Sequence, residues 1–320
     1  MNKKFCIIAG EPNSINSEII AKSWKKISKE KKKYFFLIGS YDLIKAQLKK
    51  IKIKIPICKI ESCSEKLSIN HLNIFDIKLK FKNPFNVKKL IGSKYILECL
   101  NRAHNLSINK QIKGFINCPI NKKNIFNSEN IGVTEYLAKK NKVLGKEAML
   151  IFNKDFSVAP ITTHINVKDI SKEISKKKII KKIITINNFY RNVLKRNPII
   201  AVLGLNPHND EFRKKSEEVT SIIPAIKFLK NKKYKVIGPL PADTAFSYKK
   251  KYKFDVIVGM YHDQVLGPFK ALYGFDGINL TLGLDYYRAS PDHGIASDLI
   301  GLGKANYKSL LDSINFFLKI

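Results

Sequence analysis

Short apolar runs alternate along this chain with longer segments whose apolar residues recur every three or four positions, an alternation that predicts strands and helices in α/β layers. Phe5–Ala9 reads as a first strand. The polar turn after it, residues 10–17, holds candidate caps for a helix beginning near Glu18. Tyr34–Ile38 reads as a second strand, and residues 40–85 as irregular chain with β-like pieces at Ile51–Ile57 and Leu72–Ile77. Ile91, Tyr95, Ile96, Cys99, Leu100 and Ala103 predict a helix over 87–106. Lys113–Cys118 is the next strand, and Ile174–Leu194 a periodic helix with lysines on its outer face. A further helix starts near Ser216, with Glu217 and Glu218 suited to its positive N-terminal end and Pro224 kinking or restarting it. Ile278–Leu282 is a late strand, followed by Arg288 and a glycine-punctuated stretch to Gly303. No internal repeat or Pro-, Gly- or Ser-rich linker interrupts the chain.

Composition narrows the classes. At 320 residues and 44% hydrophobic content, a globular protein of one large α/β unit or two domains is expected. No charge-free apolar stretch approaches the roughly 18 residues of a membrane span, and Met1–Gly10 is no signal peptide, so a cytoplasmic chain with no membrane partner is expected. The five cysteines form no CxxC pair, and Cys6 and Cys118 lie in apolar runs, as small buried hydrophobes do. A net charge of +33 suggests nucleic acid, but only five of the 59 basic residues are arginine. Nucleic-acid readers rely on the arginine fork, which lysine lacks. Between Phe254 and Gly303 the balance reverses, with Lys270 and Arg288 against six aspartates. No nucleic-acid partner is expected.

There is no P-loop, no GxGxxG after a strand, no GxSxG and no HExxH. What stands out is the position of three histidines. His164, His208 and His262 each lie just beyond an apolar run, where ligands bind in open α/β sheets. Three imidazoles from three strand ends suit one divalent metal, with polar neighbours to orient them. Asp243, in Gly238-Pro-Leu-Pro-Ala-Asp-Thr244, is either a positioning carboxylate or a helix cap. Lys270 and Arg288, the cations of the acidic region, suit an anionic ligand or pairing with the aspartates. His71 and His104 read as surface residues, and His293 as either functional or a turn residue.

Ile161-Thr-Thr-His164, Gly204-Leu-Asn-Pro-His208, Gly238–Thr244, Met260-Tyr-His-Asp-Gln264, Asn279-Leu-Thr-Leu-Gly-Leu284 and Ser290-Pro-Asp-His-Gly294 together resemble the PdxA family, the 4-hydroxythreonine-4-phosphate dehydrogenases. The resemblance runs from Gly10 to Ala305 and is weakest between 40 and 85. It implies two α/β/α domains flanking a cleft, in the manner of isocitrate and isopropylmalate dehydrogenases, with non-Rossmann NAD or NADP binding. The domains are expected at 1–130 with 280–320 and at 131–279. It further implies a homodimer with shared active sites and oxidation of 4-phosphohydroxy-L-threonine at C3, followed by loss of CO2, in pyridoxal phosphate biosynthesis. His164, His208 and His262 would bind a divalent metal (Zn, Mg or Co), and Thr134, Lys270, Asn279 and Arg288 the substrate. Asp243 would relay a proton. The chain departs from the family pattern at Gly132-Val-Thr-Glu135, where a substrate-contacting histidine is Val133, and in residues 10–18, where two glycines are lost. Ile295 replaces a threonine, and the loop after His208 is short and lacks glycine. Val133 motivates a paralogue acting on a threonate or erythronate 4-phosphate. A same-fold acyl-phosphate transferase is the reading from another class.

Overall fold

The structure, a computed structural model, describes residues 4–125 and 132–320; the expected boundary at 130/131 lies outside the described residues. The chain divides into two compact α/β units, Met1–Glu129 with Asp285–Ile320, and Asn130–Leu284. Unit 1 contains strands β1 (Phe5–Ile8), β2 (Phe35–Gly39), β3 (Ile57–Ile60), β4 (Leu72–Asp76), β5 (Gly114–Asn117) and β12 (Tyr287–Pro291). They form parallel pairs in the order β3-β4-β2-β1-β5-β12. The longer helices of this unit are α1 (Asn16–Lys26), α2 (Tyr41–Lys50), α3 (Lys89–Ile108) and α8 (Lys308–Lys319). β1, β2 and β5 are buried along their whole length, as parallel strands covered on both faces must be. Phe5 stacks on Phe35 with ring centroids 5.6 Å apart and meets Phe317 of α8 at 5.0 Å, which ties the last helix to the first strand.

Unit 2 contains β6 (Ala148–Phe152), β7 (Ser157–Pro160), β8 (Ile200–Leu203), β9 (Val236–Leu240), β10 (Val256–Gly259) and β11 (Ile278–Leu282). Its longer helices are α4 (Val133–Lys140), α5 (Lys176–Asn192), α6 (Ile223–Asn231) and α7 (His262–Tyr273). The order is β11-β6-β7-β10-β8-β9, antiparallel across β11-β6-β7 and parallel from β7 to β9. Phe156, Val158, Ala201, Ile257 and Phe269 meet in one buried cluster. Full burial of each large apolar side chain contributes roughly 1.5–3 kcal/mol, so this cluster holds helix α7 against the strands.

Three local expectations change. Residues 41–50, read as irregular, form α2: the Ser40 hydroxyl caps it by accepting from Leu43 N, and Leu43, Ile44, Gln47 and Leu48 are its buried face. Ile51–Ile57 alternates like a strand but pairs as one only at its end, where Pro56 O accepts from Leu72 N and β3 begins at Ile57. Arg288, read as following a strand, lies within one, because β12 pairs with β5 through Arg288 and Phe115. At Pro224 the chain passes from a π-helical turn, Glu218–Ile222, into α6, so the proline sits in a first helical turn, where its missing N–H is harmless. Among the described residues no helix is long and apolar enough to cross a membrane. Cys6 and Cys118 are fully buried.

Candidate functional site

β7, β10 and β8 lie side by side, and each is followed by one of the three histidines. Beyond β7 the pairing continues: Ile161 N donates to Gly259 O, and the N–H and hydroxyl of Thr162 both donate to Met260 O. The two chains therefore leave the sheet in step. His164 and His262, which opens α7, face each other with ring centroids 6.3 Å apart and planes inclined by 38°. Each side chain is 33% exposed, so both rings reach solvent from a fixed base.

A carboxylate stands on the Nδ1 side of each ring. Glu135 Oε2 is 3.6 Å from His164 Nδ1, and Asp263 Oδ1 is 3.0 Å from His262 Nδ1. An imidazole that turns Nδ1 to a carboxylate presents Nε2 as its ligating nitrogen, the usual arrangement around a protein-bound metal. Glu135 is held from three directions. It lies in the first turn of α4 and accepts from Gly132 N at 3.0 Å and from the Thr163 hydroxyl at 2.7 Å. Burial raises its pKa, but His164 and the Thr163 hydroxyl outweigh that and bring it down to about 2. Gly132 makes the approach possible, since a Cβ there would come within 2.7 Å of His164 Cε1 and 2.6 Å of Glu135 Oε2. Sequence reading missed Glu135. Its signal was the spacing of an acidic residue three positions after the residue that opens a helix.

His208 is presented differently. From His208 to Phe212 the backbone is left-handed at five successive residues, with φ between 47° and 58° and no glycine among them. Each such residue costs roughly 1–2 kcal/mol, so the surroundings must impose the turn. Buried Glu218 contributes: one carboxylate oxygen accepts from Leu205 N at 2.7 Å and Asn206 N at 2.9 Å, the other from Asn206 Nδ2 at 3.0 Å. Glu217 also accepts from Asn206 Nδ2. The two glutamates, expected to serve their own helix start, thus brace the segment that leads into His208. Among the described residues no three imidazole, thiol or carboxylate groups lie together as a metal site would require. The structure brings His164 and His262 together and keeps His208 on its separate turn. The donor chemistry of the facing pair, two imidazoles each backed by a carboxylate, fits a divalent metal.

The other expected site residues fall into two groups. In unit 2, Thr134 of α4 is buried, with its hydroxyl 3.1 Å from that of Thr281 on β11. Asn279 lies two residues earlier on β11, and its buried Oδ1 has no hydrogen-bond partner among the described residues. Thr281 was not singled out by sequence; its register beside Asn279 was the available signal. Lys270 of α7 lies over the Phe275 ring, with Nζ 5.1 Å from the centroid. Asp243 is exposed on the short helix Ala242–Ala245, and the motif before it is partly strand, because β9 extends to Leu240. In unit 1, Arg288 is buried and its Nε donates to Asn117 Oδ1 at 2.7 Å, so the last residue of β5 orients the guanidinium. Val133 is 4% exposed in the first turn of α4.

The remaining histidines differ from expectation in one case. His71 is exposed as expected. His104, read as a surface residue, is buried, because α3 packs it against Tyr286 and its Nδ1 lies 2.9 Å from the phenolic oxygen. Its polar sequence neighbours lie on the other side of the helix. His293 is half-buried, with Nδ1 2.9 Å from Gly294 O.

Comparison with known proteins gives this geometry a context. The family profile described as pyridoxal phosphate biosynthetic protein PdxA matches residues 31–317. The chain is similar to the 4-hydroxythreonine-4-phosphate dehydrogenases of Aquifex aeolicus, at 37% identity over 98% of this chain and 97% of the relative, and of Sulfurihydrogenibium sp., at 35% over 97% and 96%. Among solved structures, the 4-hydroxythreonine-4-phosphate dehydrogenase of Klebsiella pneumoniae superposes with a TM-score of 0.85 at 29% identity, covering 100% of this chain and 99% of that one. Isocitrate dehydrogenase of Methylococcus capsulatus shares the fold alone, with a TM-score of 0.52 at 11% identity over 98% of this chain and 84% of that one.

Proposed function

The chain belongs to the PdxA family of pyridoxal phosphate biosynthetic proteins, and on that premise we propose that it oxidises 4-phosphohydroxy-L-threonine at C3 and releases CO2 to leave an aminoketone phosphate. The observation that carries the reading is the facing pair His164 and His262, each with a carboxylate behind Nδ1, at the ends of adjacent parallel strands. His164, His208 and His262 would hold a divalent metal, which supplies Lewis-acid polarisation of the C3 oxygen. NAD or NADP is the hydride acceptor.

The chain's own residues divide the remaining work. Glu135 and Asp263 orient the two imidazoles so that Nε2 is the ligating atom of each. Lys270 and Arg288 provide fixed positive charge for the substrate's phosphate and carboxylate, and Asn117 keeps the Arg288 guanidinium in one orientation. Asn279 offers a buried acceptor to a substrate N–H or O–H, which suits the amino group. Thr134, paired with Thr281, is a hydroxyl contact, and Asp243 takes the role of proton relay. In the oxidation the C3 hydride leaves for the nicotinamide and the hydroxyl proton leaves through the relay. In the second step the bond to the carboxylate breaks, and the electron pair left on carbon is protonated. The acting unit in this reading is a cytoplasmic homodimer.

Purified chain incubated with 4-phosphohydroxy-L-threonine, NAD or NADP and a divalent metal is expected to produce reduced nicotinamide, with loss of the signal on chelation and recovery on adding metal back. No reduction across Zn, Mg and Co with either cofactor would overturn the reading. One observation favours a second: Val133 is buried and apolar where the family pattern has a substrate-contacting histidine. A related activity on threonate or erythronate 4-phosphate follows if that contact selected the amino acid. A substrate panel separates the two, since a higher kcat/KM for the aminated substrate removes the second.

A further inference from the structure

We propose that unit 2 carries a second ligand site, for a small molecule bearing a diphosphate group, away from the histidines. A cavity of about 260 Å³ is lined by Asn187 and Arg191 of α5 and by Lys232, Lys233 and Lys235 between α6 and β9, with no acidic residue in its wall. Lys235 directly precedes β9, so the cavity lies at the amino ends of the parallel strands, whereas the three histidines follow carboxyl ends. The proposal is independent of the dehydrogenase reading.

Two plainer explanations fall short. Cations at the last turn of a helix often only offset its dipole. Each helix C-terminus carries about half a negative charge, so α5 and α6 together offset about one of the four cations and leave roughly three. A lysine-rich composition scatters lysine, not arginine. Of the five arginines, Arg196 and Arg213 pair with Asp255 and Asp210, Arg288 donates to Asn117, and Arg102 lies over the Phe75 ring. Arg191 alone has no ion pair, side-chain hydrogen bond or ring contact among the described residues, and the three lysines have none either. A second observation points to a ligand. Asn187 is 6% exposed and lines the cavity, yet its amide makes no side-chain hydrogen bond among the described residues. The amide opens on the cavity and can turn to a ligand there without giving up a bond within the protein. An arginine fork, clustered ammonium groups and an amide donor suit phosphate oxygens, and roughly three uncompensated charges suit a diphosphate better than a lone carboxylate.

Calorimetric titration of the full chain at physiological salt, without metal or nicotinamide, tests the site with inorganic pyrophosphate, ADP and orthophosphate. Saturable one-site binding of pyrophosphate, or of ADP if the diphosphate must come attached to a nucleoside, is the expected result, with orthophosphate at least about tenfold weaker. The variant Arg191→Gln/Lys232→Gln/Lys233→Gln is expected to bind at least about tenfold more weakly. Changing exposed Lys25, Lys26 and Lys49 of unit 1 to Gln should alter binding less than about twofold. Should the triple variant unfold, the single exposed change Arg191→Gln carries the test, with a loss of at least about threefold. The proposal is overturned if neither diphosphate binds, if orthophosphate binds as tightly, or if both lysine-depleted variants weaken equally, which marks a diffuse field.

Discussion

Two histidine environments in this chain contrast sharply. His104 is closed off: it is 7% exposed, its Nδ1 faces the Tyr286 hydroxyl, and Tyr286 packs in turn on Phe115. Burial pushes the Tyr286 phenol well up, so the partner is a neutral hydroxyl over the whole working pH range. His164 and His262 keep a third of their surface exposed and face carboxylates. The difference teaches that the chemistry behind the ring, more than the presence of a histidine, separates a structural imidazole from one able to hold a ligand. A neutral hydroxyl finishes a packing arrangement, whereas a carboxylate raises the basicity of the far nitrogen and fixes its direction.

The contrast can be broken most severely at the rings themselves. His164→Ala and His262→Ala are each expected to lower kcat/KM by more than about a hundredfold, beyond the 10–100-fold typical of an outer partner. Metal content of the purified variants, by atomic spectroscopy, should fall with activity. Glu135→Gln is expected to cost about 10–100-fold in activity or metal affinity, because the amide cannot supply the charge behind Nδ1. It also carries a pH signature. The depressed Glu135 pKa stabilises the fold fully above its ordinary value of 4.5, and that stability is lost as pH falls towards about 2. Wild-type Tm should therefore drop more steeply between about pH 5 and 3 than that of Glu135→Gln. Asp263→Asn is expected to cost less than about tenfold, since that carboxylate is 84% exposed and solvent already screens it. His104→Phe should leave kcat/KM unchanged and reduce stability by about 1–3 kcal/mol, measured by denaturant unfolding, because the Tyr286 hydroxyl loses its partner. A large kinetic loss in that variant would erase the distinction between the two environments.

Most strands, and four of the eight longer helices (α1, α3, α5 and α6), were legible in the sequence because their signals are local. Buried parallel strands such as Phe5–Ile8 are uninterrupted apolar runs, and α3 and α5 repeat their apolar positions at helical spacing. α2 was not legible, since Tyr41–Lys50 has only two buried pairs of positions and depends on its Ser40 cap. β12 was hidden because Arg288 breaks its apolar character, and only pairing with β5 buries that arginine.

For the candidate site, sequence alone determined that three histidines would follow three strands and that Thr134, Asn279, Lys270 and Arg288 stood in family motifs. Tertiary structure decided which histidines meet. β7 and β10 are adjacent and leave the sheet in step, so His164 faces His262, while a left-handed turn braced through Asn206 by Glu218 sets the course of His208. It also decided which carboxylates stand behind the rings, and that His104 is structural. These outcomes depend on contacts between residues far apart in the chain, such as Glu135 with Thr163 and His104 with Tyr286. Periodicity reports only what lies within a turn or two of a residue; partners brought together by packing leave no local trace.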